Sequence, residues 1–270
     1  MKPILTTLCL TMLLVSSGVC WSADFQKGVD AYHKGDYATA IKQWAPLAEQ
    51  GYGYAQAMLG SIYYEGEGVP QDYQAAVKWY TLAAEQGHLH AQTLLGWMYS
   101  EGEGVPQDYQ AAVKWYTLAA EQGYTDGQYN LGWMYRKGQG VLQDDKTAVK
   151  WYTLAAEQGD ANAQASLGVM YDSGRGVSQD YEIAVKWYTL AAEQGDPTAQ
   201  RNLGLMYLEG RGVPQDYQTA VKWYTLAAEQ GNAGAHHNLG LMYLEGRGVL
   251  KDHVYAHMWG NIAAMNGDVL

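Results

Sequence analysis

The chain has 270 residues and a formal net charge of −11, with 28 acidic residues against 17 lysines and arginines. A nucleic-acid partner requires a basic surface, so this balance argues against one. The only two cysteines are Cys9 and Cys20, so the part of the chain after residue 20 has no disulfide and must be held together by packing.

The N-terminus has the layout of a secretory signal peptide. An apolar run of 12 residues spans 4–15, and a short stretch after it ends at Ala23. The run is shorter than the roughly 20 residues that a membrane-spanning helix needs. We therefore predict a signal peptide over 1–23, with cleavage after Ser22 as the alternative, and export to the periplasm or the medium. A lipid anchor on Cys20 is not expected, because the residue before it is not small.

A segment of 36 residues recurs along the rest of the chain. Its most visible mark is a Trp-Tyr pair, whose tryptophans are Trp79, Trp115, Trp151, Trp187 and Trp223, with a degenerate copy at Trp259. A fixed period of this size indicates stacked supersecondary units. Residues 24–50 are predicted to form an N-terminal capping hairpin, and 267–270 are a C-terminal stub. Repeats 1 to 6 span 51–86, 87–122, 123–158, 159–194, 195–230 and 231–266, and positions within each repeat are numbered from 1 to 36.

The first half of each repeat predicts a helix, called helix A, that begins near position 3. In repeat 4 its apolar residues recur with the period of a helix that is buried on one side; they are Ala163, Leu167, Met170 and Tyr171. Residue 2 of repeats 4 to 6 can cap the helix, through Asp160, Asp196 and Asn232. Repeats 1 to 3 carry Tyr52, His88 and Tyr124 there and are expected to lack this cap.

The second half predicts helix B, which follows a turn containing Gly174 and Gly176 and is capped by Asp180. Gly195 is expected to end helix B in a left-handed conformation. The residues of helix B expected in the core of repeat 4 are Ala184, Trp187, Tyr188 and Ala191. Each repeat is thus predicted to be an antiparallel helical hairpin that cannot bury its apolar faces alone.

The pattern Ala163-x-x-x-Leu167-Gly168-x-x-Tyr171-x-x-Gly174-x-Gly176-Val177-x-x-Asp180-x-x-x-Ala184-x-x-Trp187-Tyr188-x-x-Ala191-Ala192-x-x-Gly195 resembles the Sel-one-like repeat (SLR) family. The resemblance covers 51–266, and 24–50 resembles the related tetratricopeptide repeat. It implies an all-α, right-handed solenoid of antiparallel hairpins that binds other proteins, with the first helices lining the concave side. It implies no chemistry. The secreted members linked to beta-lactam binding or hydrolysis have a disulfide in each repeat, which this chain lacks.

No constellation in the sequence predicts a catalytic, metal or cofactor site. His236 and His237 lie near the start of one helix and His253 and His257 near the start of its antiparallel partner, roughly 15 Å apart, too far for one ion. There is no nucleophile elbow and, after residue 20, no thiol. The repeated Gly-x-Gly follows a helix rather than a strand, so it predicts a turn and not a phosphate site. We therefore expect a protein that is not an enzyme.

Substitutions between the repeats concentrate at positions 7, 11 and 14, which share one side of helix A. We call these positions the helix-A face, and predict that they bind a protein or peptide. An alternative is that some of them, position 11 above all, pack against the next repeat. The predicted partner-binding residues are Tyr64, Trp97, Tyr129, Trp133, Arg136, Asp172, Arg201, Leu205, Leu208, Leu241 and Leu244.

The sequence therefore favours an exported scaffold that mediates protein–protein interaction. The alternative function is a cell-envelope enzyme or wall-binding protein that acts on a peptidoglycan-like or beta-lactam substrate. Weak end-to-end self-association is also expected, because uncapped ends of a solenoid tend to associate. No integral membrane span and no nucleic-acid partner are expected.

Overall fold

The computed structural model describes residues 21–265, so the predicted signal sequence up to residue 20 and the C-terminal stub lie outside the described part. Within it, the chain forms fourteen α-helices of 13 residues each and no strand. In chain order they are α1 (Trp21–His33), α2 (Tyr37–Glu49), α3 (Gly53–Glu65), α4 (Tyr73–Glu85), α5 (Leu89–Glu101), α6 (Tyr109–Glu121), α7 (Thr125–Lys137), α8 (Asp145–Glu157), α9 (Ala161–Ser173), α10 (Tyr181–Glu193), α11 (Pro197–Glu209), α12 (Tyr217–Glu229), α13 (Ala233–Glu245) and α14 (His253–Met265).

The helices belong to two compact units. Unit 1 contains the described residues up to 98 together with 102–106, and unit 2 contains 99–101 and the described residues from 107 onwards. In unit 1, α1 to α4 pack in sequence, each on the next; in unit 2, α6 to α14 do the same. The predicted all-α array of helical hairpins is therefore confirmed. No helix among the described residues is long and apolar enough to cross a membrane.

Most of the helices have a capping side chain at the N-terminus. The carboxylate of Asp160 accepts a hydrogen bond from the backbone N–H of Ala163, and Asp196 and Asn232 do the same in their repeats, as predicted. Tyr52 and Tyr124 provide no side-chain cap, which also agrees with the sequence. The expectation for repeat 2 was wrong, because Nδ1 of His88 accepts a hydrogen bond from the backbone N–H of Ala91 at 3.3 Å.

The cores of repeats 1 to 5 are built around the tyrosine of the Trp-Tyr pair. Ala184, Tyr188 and Ala191 of α10 are buried as predicted. Trp187 is only partly buried, so its assignment to the core interior is corrected: the ring covers the edge of the cluster that Tyr152 and Leu167 fill. The two rings are neighbours in sequence and point about 100° apart on the helix, so only one of them can face the centre.

Gly168 makes room for the buried tyrosine. A Cβ atom at this position would lie 2.4 Å from the Cδ1 and Cε1 atoms of Tyr188, closer than any van der Waals contact allows. Gly132 and Gly204 stand in the same relation to Tyr152 and Tyr224. The glycine of helix A therefore lets the ring of helix B pack directly on the helix backbone.

Buried glutamines connect successive repeats. Nε2 of Gln164 donates a hydrogen bond to the carbonyl oxygen of Ala156 in the preceding repeat at 3.1 Å. Its Oε1 accepts one from Nε2 of Gln194, at the end of helix B of its own repeat, at 2.8 Å. Gln200 and Gln230 repeat the arrangement one repeat later. The nitrogen and the oxygen of the buried amide are therefore both hydrogen-bonded, which stabilises the stacking of repeats.

Candidate partner-binding face

The helix-A face surrounds the hydroxyl groups of the buried tyrosines at position 30. In repeat 1 the hydroxyl of Tyr80 donates to Oγ of Ser61 at 3.0 Å. In unit 2, the pKa of Tyr188 is raised chiefly by burial, and Asn202, Arg201 and Arg211 act in the opposite direction because they lie close to its hydroxyl. The hydroxyl groups of these tyrosines thus lie at the base of the helix-A face, and the variable side chains surround them.

In unit 1 the face is aromatic. The rings of Tyr64 and Trp97 meet edge to face with centroids 5.8 Å apart, and Tyr64 also lies 5.3 Å from Tyr73. Both Tyr64 and Trp97 are half-buried. Burial raises the pKa of Tyr64, and the neighbouring carboxylate of Glu103 raises it further. At neutral pH this hydroxyl is therefore protonated, and it lies beside the Glu103 carboxylate.

In unit 2 the predicted aromatic residues are half-buried as well. Tyr129 lies 5.8 Å from the ring of the fully buried Tyr152, and Trp133 packs on the same core while Nζ of Lys137 lies 5.9 Å from its ring centroid. Arg136 lies next to the hydroxyl of Tyr152, whose pKa is raised to about 12, mainly by burial. Trp97 belongs to unit 1, so the aromatic residues of unit 2 are described without it.

Two charged residues of the face have clear partners. Oδ1 of Asp172 lies 2.9 Å from Nη1 of Arg211, which reaches back from the next repeat. The guanidinium of Arg211 also lies over the ring of Tyr181, 5.4 Å from its centroid. Arg201 donates through Nη1 to Oδ1 of Asn202 at 3.2 Å. Asp172 thus has a structural role between repeats.

The leucines of the face differ in exposure. Leu205 and Leu208 are half-buried, and Leu208 packs on the cluster that α12 of its own repeat forms with α13 of the next repeat. Leu241 and Leu244 of α13 are 41% and 43% exposed. Packing between repeats, the alternative to partner binding, therefore explains part of the burial of Leu208. Leu241 and Leu244 instead present apolar surface to solvent. The small residues of the face are buried and line its base; they are Ala57, Ser61, Thr93, Ser100 and Ala165.

Two further positions border this face and were not predicted from the sequence. Position 8 places Ser166, Asn202 and Asn238 beside the tyrosine hydroxyls. Position 17 lies in the loop after helix A and contacts the preceding repeat, as Arg211 does. Both positions vary between repeats, which was the available signal; position 17 reads Glu67, Glu103, Gln139, Arg175, Arg211 and Arg247. We call the helix-A face with positions 8 and 17 the extended helix-A face.

The histidines lie in different environments. His88 and His90 are half-buried, and burial lowers the pKa of both, to about 4 for His88. His236 is buried, with Nε2 2.9 Å from the carbonyl oxygen of Ala228, while His253 is exposed. Among the described residues, no three histidine, cysteine or carboxylate side chains come close enough to share a metal ion.

The family model of the Sel1 repeat matches this chain six times in direct succession. The matched residues are 53–88, 89–124, 125–160, 161–196, 197–232 and 233–268. The chain belongs to the Sel1 repeat family. Each match begins where helix A begins, two residues after our own repeat boundary. Sel1 repeat proteins are in general scaffolds for protein–protein interaction, and the repeat is typically not enzymatic.

Solved structures agree with this assignment. A protective antigen present in uropathogenic Escherichia coli strains, which displays an SLR fold, is 40% identical with a TM-score of 0.85, over 92% of this chain and 54% of that chain. A Sel1 repeat protein from Oxalobacter formigenes is 35% identical with a TM-score of 0.81, over 89% of this chain and 96% of that chain. Because 54% of the E. coli antigen is covered, this chain spans about half the length of that protein. The two similarities confirm the predicted solenoid class. No curated protein matches the chain.

Proposed function

We propose that this Sel1 repeat protein is an exported, non-enzymatic scaffold that binds a protein or peptide partner on its helix-A face. The observation that carries the proposal is the contrast between the two helices of the repeat. Helix B is almost unchanged from repeat 1 to repeat 5, while the helix-A face changes in every repeat. Most of the exposed residues of helix B are also unchanged, so exposure to solvent alone does not account for the variation of the helix-A face. An extended recognition surface, in contrast, needs a different side chain at each contact.

The chemistry of the face fits recognition better than catalysis. Half-buried aromatic rings such as Trp97 and Trp133 and exposed leucines such as Leu241 are the side chains that dominate protein interfaces. An enzyme needs titratable groups that converge on one point. The candidates on this face are spread over four repeats, and Asp172 is already paired with Arg211; they are Arg136, Asp172, Arg201 and His237.

Export is proposed from the N-terminal segment, whose short apolar run precedes a candidate cleavage site at Ser22 or Ala23. The proposal places the partner in the periplasm or outside the cell. Mass spectrometry of the protein recovered from the periplasm and from the medium tests both points. A protein that stays in the cytoplasm with its first 20 residues intact would contradict export.

A photo-crosslinking experiment tests the binding face. Leu241 on the helix-A face and Leu190 on α10 are both exposed leucines of unit 2, at 41% and 44%. Each is replaced in turn by a photoreactive phenylalanine, and envelope extract is irradiated with the full protein. We expect a discrete crosslinked partner from position 241 and none from position 190. Crosslinking from position 190 alone would place the partner on helix B and contradict the proposal.

Weak self-association through α14 is proposed separately, because this helix exposes apolar side chains where the other B helices carry polar ones. Val254 and Met258 are 77% and 40% exposed, at the positions that hold Gln218 and Lys222 in the preceding repeat. Burying these side chains against a second copy would remove apolar surface from water. Light scattering over a range of concentrations tests it: substitution of Val254 and Met258 by glutamine and lysine should abolish the rise in mass. A strictly monomeric wild type would contradict the proposal.

A further inference from the structure

The arginines of this chain occupy one region only. All five lie in repeats 3 to 6, at positions 7, 14 and 17 of the extended helix-A face, although the chain as a whole has a net charge of −11; they are Arg136, Arg175, Arg201, Arg211 and Arg247. Most lysines of unit 2 are exposed residues of helix B, such as Lys150 and Lys186. Lys137 is an exception, because it lies on helix A and its Nζ is 5.9 Å from the ring centroid of Trp133. The arginines and most of the lysines thus lie on different faces of the same repeats.

The extended helix-A face of unit 2 is consequently basic. Its 20 positions in repeats 3 to 6 hold five arginines and one aspartate, so with neutral His237 the formal charge is +4. The remainder of the chain then carries −15, which is −11 less +4. The ten equivalent positions of repeats 1 and 2 hold two glutamates, Glu67 and Glu103, and no cation. The basic character therefore belongs to unit 2 and is not a property of the repeat.

Three of the arginines are occupied by carboxylates of the protein itself. Arg175 pairs with Asp145, Arg211 with Asp172 and Glu209, and Arg247 with Glu245. Within the described residues, Arg136 and Arg201 lie within ion-pair distance of no carboxylate. These two are half-buried on the helix-A face itself, Arg136 next to Tyr152 and Arg201 over the backbone of Gly234. A guanidinium fixed in this way binds a carboxylate in two-point geometry better than a flexible lysine does.

The surroundings of these two arginines select a peptide rather than another anion. Asn202 and Asn238 present side-chain amides near Arg201, and an amide can both donate to and accept from a peptide backbone. The leucines of α11 and α13 on the same face offer apolar contacts. A long polyanion such as a nucleic acid would meet the charge of −15 on the rest of the chain, whereas a short segment interacts only with the local surface.

We propose, on the basis of the scaffold function above, that unit 2 binds an acidic peptide segment of the partner, in which side-chain carboxylates pair with Arg136 and Arg201 and large apolar side chains contact the leucines. The partner's segment is extended or helical and carries glutamate or aspartate between apolar residues.

Fluorescence anisotropy with the full protein tests this proposal. The probe is a labelled synthetic peptide of glutamate and leucine in alternation with serine, and the matched probe has glutamine in place of glutamate. The variant is Arg136→Gln/Arg201→Gln, and the control with the same charge change is Lys150→Gln/Lys186→Gln on helix B. We expect the acidic probe to bind and the glutamine probe to bind about tenfold more weakly or worse. The arginine variant should lose this preference and the lysine control should keep it.

Other results overturn the proposal. Equal loss in the arginine and lysine variants would show non-specific attraction of charge, and equal binding of both probes would remove the role of carboxylates. Displacement of the acidic probe by a single-stranded oligonucleotide that itself depends on Arg136 would assign the face to polyanions. Because Arg201 is packed over Gly234, Arg136→Gln alone is measured as well, with helical circular dichroism unchanged.

The crosslinking experiment separates the two proposals. If the partner still crosslinks at Leu241 in the arginine variant with unchanged yield, the scaffold function stands and the acidic-segment inference is wrong. If position 241 gives no partner in the wild type, the scaffold proposal itself fails.

Discussion

The side-chain amide of Gln194 donates a hydrogen bond to Oε1 of Gln164 at 2.8 Å, although the two residues lie at opposite ends of the repeat. Because Gln164 also donates to Ala156 of the preceding repeat, one buried amide links two hairpins. The same three-part contact recurs through Gln200, so it is a structural element of the array rather than an isolated bond.

We predict that Gln164→Ala lowers the free energy of unfolding by about 1–3 kcal/mol, because it leaves the carbonyl of Ala156 without its partner in a buried place. Urea unfolding followed by circular dichroism measures the change. Gln179→Ala is the control: Gln179 also donates to a backbone carbonyl, that of Asp172 at 2.7 Å, but lies exposed, where water can replace the amide. Equal losses in the two variants would refute the special role of the buried amide.

A second prediction concerns two helical glycines with opposite surroundings. Gly168→Ala should destabilise the protein by about 1–3 kcal/mol, because the new Cβ atom collides with the ring of Tyr188. Gly260→Ala in α14 meets nothing within 4 Å and should stabilise by about 0.5–1 kcal/mol, because alanine favours a helix. Thermal unfolding of both variants beside the wild type decides the matter. A stabilising Gly168→Ala would mean that Tyr188 moves aside without cost.

The repeat period and the caps were predictable from the sequence because they depend on local patterns. The 36-residue period and the carboxylates of Asp160 and Asp180 in front of apolar runs were sufficient for the hairpins. Helical periodicity could not decide between Trp187 and Tyr188, because two adjacent apolar positions on one side of a helix fit the same stripe. The small Gly168, which accepts only one of the two rings, makes the choice in three dimensions.

The site was less predictable, because its borders depend on contacts between repeats. Position 17 lies in a loop with no periodicity, so nothing in the sequence indicated that Arg211 reaches Asp172 of the preceding repeat. The capping role of His88 was missed for a different reason: histidine can accept a backbone hydrogen bond only as a neutral ring, and neutrality here results from burial.

This neutrality leads to a prediction about pH. Burial, with a smaller contribution from the charge of His90, lowers the pKa of His88 from 6.5 to about 4 in the folded protein. Between these values the unfolded chain binds the proton and the folded chain does not, so the free energy of unfolding falls as the pH decreases through this window. One such group contributes a slope of up to about 1.4 kcal/mol per pH unit. Protonation of Nδ1 also removes the cap on the Ala91 N–H.

His88→Asn keeps the cap and removes the titration, since Asn232 caps α13 from the equivalent position. Urea unfolding at several pH values between 4 and 6.5 should therefore give a flatter dependence for the variant than for the wild type. Parallel curves for the two proteins would mean that His88 titrates normally in the folded state.

The last prediction separates recognition from packing at the aromatic residues of the helix-A face. Trp97 and Trp133 are half-buried, whereas Tyr188 is 1% exposed and is the proper reference for a core ring in place of Trp187. Tyr188→Ala should destabilise by about 3–5 kcal/mol, as a large buried truncation. Trp97→Ala should cost about 1 kcal/mol of stability, and Trp133→Ala somewhat more because its ring touches the core around Tyr152.

Each tryptophan variant should weaken partner binding by roughly 2 kcal/mol or more. Thermal unfolding of the variants measures the loss of stability, and the yield of partner crosslinking at Leu241 reports the loss of binding. If the tryptophan variants lose as much stability as Tyr188→Ala while crosslinking at Leu241 is unaffected, the two rings are packing residues and the aromatic part of the binding face is wrong.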